Sequence, residues 1–245
     1  MLIAAAVCPH PPLLIPAALG AAASDPPPAL NAVGKACAVA VHALAAAQPD
    51  LIAVVGGGPA DREYPASAAG SLHEFGVPVT VGEGEPVLPL SLTVARWLLD
   101  NAGITAGPGR GGQGPEVLLQ AVNHTAAPGE CLKLGVLIAE RAPRVALLAM
   151  GDASARRARD AEGAPDAEAQ EYDDELAEAL AAADARWLAR LDPRRDDELM
   201  VAGRAAWQVL AGAATGARLH GRLLSMANPY GVTYLVASWG EPGTD

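Results

Sequence analysis

Leu51-Ile52-Ala53-Val54-Val55-Gly56-Gly57-Gly58-Pro59 is the stretch that decides the fold. Five apolar residues in a row, with no polar side, describe a strand covered on both faces; the glycines and the proline mark where it stops. Working outward, the pattern recurs twice. Leu2-Ile3-Ala4-Ala5-Ala6-Val7 runs into Cys8-Pro9-His10-Pro11-Pro12, and Val145-Ala146-Leu147-Leu148-Ala149-Met150 runs into Gly151-Asp152. Between these runs the apolar spacing changes to three and four. Leu30, Val33, Cys37, Val41 and Leu44 predict a helix over 28–47. Further helices are expected over 91–102, 115–122 (short), 129–141, 167–190 and 195–213, and a mobile Gly-rich loop over 103–114. Short strands are expected at 77–81, 218–225 and 231–238. Strands alternating with helices predict an α/β fold with a mostly parallel central sheet flanked by helices on both faces. One domain is expected over 1–240, with a tail at 241–245. Ligands of such sheets bind beyond the carboxyl ends of the strands, which selects 8–12, 56–62 and 151–157.

The 245 residues carry a formal charge of −11, with 51% hydrophobic and 18% charged side chains. That balance supplies a full core and excludes a disordered chain. It also argues against nucleic acid and anionic membrane as partners, because both repel an acidic surface. The expected partner is a small-molecule ligand, and a homo-oligomer is allowed. Glu168, Glu171, Asp173, Asp174, Glu175 and Glu178 read as the solvated side of a helix, with an acidic docking face as the alternative. Three cysteines without a CxxC pair are neither a disulfide framework nor a zinc cluster, and fit a reducing cytoplasm. The apolar start lacks a basic flank and is interrupted by Pro9, Pro11 and Pro12, so it reads as a buried strand rather than a signal peptide.

Several residues could carry chemistry. His10, held between prolines at a strand end, suits a metal or acid/base role. Gly56-Gly57-Gly58 would let backbone approach a ligand closely, without the spacing of a nucleotide-binding loop. Arg62, Arg156 and Arg157 could grip a carboxylate or phosphate, or simply pair with the acidic helix. Asp152 and Ser154 complete the candidate substrate contacts. As a nucleophile Ser154 has no His beside it in sequence and reads more simply as a helix N-cap.

Taken together, Pro9-His10-Pro11-Pro12, Gln48-Pro49-Asp50-Leu51-Ile52-Ala53-Val54-Val55, Asn123-His124-Thr125 and the segment from Arg144 through Gly151-Asp152-Ala153-Ser154 resemble the B-subunit-type class III extradiol dioxygenases. The wider group includes the Memo-type proteins. The resemblance covers roughly 1–240 and rests on the order and spacing of segments that are each weak alone. Active members cleave catechol rings at a non-haem Fe(II) held by two His and one carboxylate. Carried over, His10 matches the first iron ligand, and His124 matches a His near the substrate pocket. The second ligand position holds Pro59, the acid/base His position holds Ala155, and residues 227–239 contain no Asp or Glu. Asp61 is the best substitute metal ligand, ahead of Cys8, Glu63, His73 and Asp152. The resemblance therefore implies a dioxygenase-like protein with a degenerate iron site. Such a protein would bind or transform a small aromatic or anionic molecule around His10 and His124. The alternatives are an active Fe(II) enzyme with substitute ligands and a non-catalytic interaction scaffold.

Overall fold

The computed structural model describes residues 1–104, 114–157 and 166–241. Along the chain run β1 (Leu2–Cys8), α1 (Pro28–Ala46), β2 (Leu51–Gly58), β3 (Arg62–Tyr64), β4 (Ala68–Ser71), β5 (Thr80–Val81), β6 (Glu83–Pro86), α2 (Leu90–Asn101), β7 (Glu116–Asn123), α3 (Pro128–Ala139) and β8 (Val145–Met150). They are followed by α4 (Ala167–Ala181), α5 (Ala185–Leu188), α6 (Pro193–Glu198), α7 (Arg204–Ala213), β9 (His220–Ala227) and β10 (Tyr234–Gly240). Seven strands form one sheet in the order β3-β7-β2-β8-β1-β10-β9; β4, β5 and β6 make a small satellite sheet. The four central strands β7, β2, β8 and β1 are parallel, and β3, β10 and β9 close the edges antiparallel.

The apolar runs are buried along their whole length because each sheet face has its own helical cover. Val7, Val55 and Leu147 point toward α3, α4 and α7, where Trp207 is fully enclosed. Ala6, Val54 and Leu148 point the other way, toward α1 and α2. By length and composition α1 could cross a membrane. Its seven buried residues, Leu30 to Leu44, instead lay an apolar stripe on the sheet. Helices α3 and α7 cross almost backbone to backbone. A Cβ on Gly135 would stand 2.0 Å from the Val209 carbonyl oxygen, so only glycine permits that approach.

Four expectations need correction. The segment 115–122 is not a helix but strand β7, inserted between β3 and β2. A short apolar run has the same appearance in either state, and the sheet settled it. The helix expected over 167–190 breaks at Ala183, which takes φ 51°, and Asp184 caps the new start. The helix expected over 195–213 breaks likewise at Met200, φ 54°, into α6 and α7. Within 77–81 only Thr80–Val81 is strand, in the satellite sheet. The greater part of the Gly-rich loop expected over 103–114 lies outside the described residues, as do the last four residues of the expected tail.

Candidate functional site

The parallel strands end together, and their register builds a row of side chains. Cys8 pairs with Met150 and Val7 with Ala237. Carried a few residues further, the same register sets His10 beside Asp152 on one side and Tyr234 on the other. The His10 N–H donates to Asp152 Oδ1 at 2.8 Å. The imidazole turns Nδ1 toward that oxygen at 3.7 Å; Nδ1 is buried and makes no hydrogen bond. His10 Nε2, Asp152 Oδ2 and the Tyr234 hydroxyl have no hydrogen-bond partner among the described residues, yet they are absent from its enclosed, unsatisfied atoms. These three atoms therefore keep contact with solvent. Burial, then Asp152 and Tyr230, push the Tyr234 hydroxyl up to about 12, so it stays a proton donor at neutral pH.

His124 follows β7 on an exposed turn shaped by Asn123, whose Oδ1 accepts from the Thr125 N–H and hydroxyl. Its ring lies back over Gly57 of β2, where a Cβ would come within 2.6 Å of Nδ1 and Cε1. That puts it about two strand spacings, roughly 10 Å, from the strand of His10. Desolvation, then the charges of His10 and Arg204, lower its pKa, so the imidazole is neutral near pH 7. Arg204, almost fully buried, supports this turn by donating to the carbonyls of His124 and Ala126 and to Gln208 Oε1.

The three glycines that end β2 do not leave room for a ligand as expected. Their missing side chains are replaced by protein: Ser91 over Gly56, His124 over Gly57, and Ala121 with Pro89 over Gly58. Nor do the arginines gather at the row. Arg156 pairs with Asp166 at 3.2 Å and donates to the Glu198 carbonyl. Arg157 lies 3.6 Å from Asp173 and 3.8 Å from Asp174. Arg62 stacks on Tyr64 in β3, four strands from β1, or about 19 Å. Ser154 caps none of the described helices. Its N–H and hydroxyl both donate to the fully buried Asp173, which also accepts from the Thr233 hydroxyl. This knot pins the loop that presents Asp152. Asp173 is thus turned inward from the acidic stretch, while Glu168, Glu171, Asp174 and Glu178 are exposed.

Asp61 is likewise remote from His10. It accepts the Asn123 N–H at 2.7 Å, at the end of β7, three strands away. Among the described residues no three His, Cys, Asp or Glu side chains come together as metal ligands. His10 and Asp152 are two potential donors, and a facial iron site needs three. The residues present do not fit it. Sequence reasoning missed Tyr234, Arg204 and the partnership of His10 with Asp152, since none belongs to a motif and all depend on register. A concave surface of about 540 Å³ lies at the opposite ends of the strands, between Met1, Ala139, Pro143 and Thr215, away from both histidines.

No protein-family model and no curated protein matches this chain. Among solved structures, an uncharacterized protein from Escherichia coli K12 is similar in fold. Its TM-score is 0.52 at 13% identity, over 98% of this chain and 100% of that one. At that identity the likeness speaks to architecture alone.

Proposed function

We propose that this chain is an extradiol-dioxygenase-like protein without the family's iron triad, which binds a small organic molecule at the row Asp152–His10–Tyr234 and uses His10 as its acid or base. The observation that carries this is the His10 ring. Its Nδ1 faces a carboxylate at 3.7 Å, and its Nε2 has no partner among the described residues and is not enclosed. A carboxylate behind Nδ1 favours the Nδ1–H tautomer and leaves the Nε2 lone pair free to take a proton from a ligand hydroxyl or amine. The contact is longer than a hydrogen bond, and such contacts tighten when a ligand closes the site. Tyr234 supplies a donor beside it, and neutral His124 lies over β2, two strands from β1. The three cysteines are buried free thiols, which supports placing the protein in the cytoplasm.

The test is anaerobic reconstitution with Fe(II), followed by metal quantitation and an oxygen-electrode assay with protocatechuate. The expected result is no stoichiometric iron and no oxygen uptake. Stoichiometric iron with uptake that His10→Ala abolishes would replace the proposal with an active dioxygenase using substitute ligands. In parallel, the His10 ring resonances followed by NMR should move in Asp152→Asn, because the variant changes the group that Nδ1 faces at 3.7 Å. Unchanged ring resonances would remove Asp152 from the site.

A further inference from the structure

The arrangement of charge around this row points to the kind of molecule it takes. Asp152 has no ionic partner among the described residues except His10. Of the described arginines, Arg156 is committed to Asp166, Arg157 to Asp173 and Asp174, and Arg204 to the carbonyls under His124. An anionic ligand would meet the Asp152 carboxylate, and among the described residues Arg156, Arg157 and Arg204 are paired away from it. A ligand carrying N–H donors meets two outward acceptors, Asp152 Oδ2 and His10 Nε2. The chain's net charge of −11 draws cations toward every opening on its surface. Tyr230, 53% exposed, lies near enough to Tyr234 to act on its hydroxyl.

We propose that the site selects a small organic cation, an ammonium group on an apolar or aromatic body, held by the Asp152 carboxylate with His10 Nε2 accepting a second N–H. This rests on the binding site proposed above and replaces the anionic ligand suggested by the sequence. The ammonium sits where a hydrogen bond to a charged group is only partly screened. Such a bond contributes enough to separate the amine from its neutral analogue by roughly tenfold in Kd.

Three probes of matched body decide it: phenethylamine, 2-phenylethanol and 3-phenylpropionate. Each is titrated into the full chain and followed by NMR shifts of the His10 and Tyr234 rings and by melting temperature. The expected order is amine, then alcohol, with the carboxylate last. Asp152→Asn, which retains an oxygen for the His10 N–H, should bring the amine down to the level of the alcohol. His10→Asn should weaken the amine and the alcohol alike. If the carboxylate binds as well as the amine, or Asp152→Asn leaves amine binding unchanged, the cation proposal fails while the site itself stands. If no probe moves the His10 or Tyr234 resonances, both the cation and the binding site are wrong.

Discussion

Replacing Asp173 with alanine should strongly destabilise the protein. The Asp173 carboxylate is completely buried and accepts three hydrogen bonds. Ser154 N donates at 3.0 Å, Ser154 Oγ at 2.8 Å and Thr233 Oγ1 at 2.5 Å, and Arg157 stands 3.6 Å away. Each bond to a charged acceptor contributes about 1.5–3 kcal/mol, and deleting the acceptor leaves its donors without partners. Some of that loss is returned, because a buried carboxylate no longer has to be desolvated. Breaking a buried charged group of this kind costs about 3–5 kcal/mol, so a loss near 4 kcal/mol is expected. For a chain of this length that lowers Tm by roughly 8–16 °C. Asp173→Asn keeps one acceptor oxygen, and the two hydroxyls can reorient toward the amide, so about half the loss should return. Urea unfolding followed by circular dichroism measures both variants. A loss under about 1 kcal/mol for the alanine variant, within the range of ordinary surface changes, would refute the claim that this knot holds the loop.

Two shorter predictions follow from the packing and the buried charges. Gly135→Ala should cost more than 3 kcal/mol or abolish folding, because the new methyl would meet the Val209 carbonyl at 2.0 Å and backbone cannot step aside; a near-neutral variant by thermal denaturation would show that α3 and α7 slide freely. Asp196 has its pKa raised to about 6, chiefly by burial, against an ordinary 3.8. The folded state therefore holds more protons than the unfolded state between those values, and this group's contribution to stability falls as pH rises from about 4 to 6, then levels off. Asp196→Asn should flatten that part of the pH–stability curve and raise stability at pH 7, unless the loss of Arg204's partner at 3.9 Å outweighs the relief; an unchanged slope in urea titrations at pH 4 to 6 would refute the assignment.

Much of the fold was legible because β1, β2 and β8 are buried on both faces, which leaves an unbroken apolar run with glycine or proline at its end. What was hidden has physical reasons. Strand β7 is as apolar as a buried helix turn and too short for periodicity to separate the two. The breaks at Ala183 and Met200 use a left-handed backbone on residues that rarely adopt it, so no glycine or proline announces them. The site was partly visible: His10, His124 and Asp152 stand at strand ends where a parallel sheet displays its ligands. Their grouping was not, because it depends on which strands are neighbours. Tyr234, 82 residues beyond Asp152, comes next to His10 only through the pairing of β1 with β10. The arginines do not gather at the row, because each has a partner or a stacking surface nearer at hand.

The strand order also shapes how the molecule is made. β1 is synthesised before every other strand, yet its sheet partners are β8 and β10. At bacterial or eukaryotic elongation speeds, the stretch from Cys8 to Val145 takes roughly 7–27 seconds to translate. During that interval a wholly apolar segment has neither neighbour, and α1 can cover only one of its faces. Nascent chains stalled short of β8 should accordingly be captured by hydrophobic-segment-binding chaperones, and release should follow the emergence of β10. The same thread that brings His10 between Asp152 and Tyr234 makes the site one of the last parts of the protein to exist.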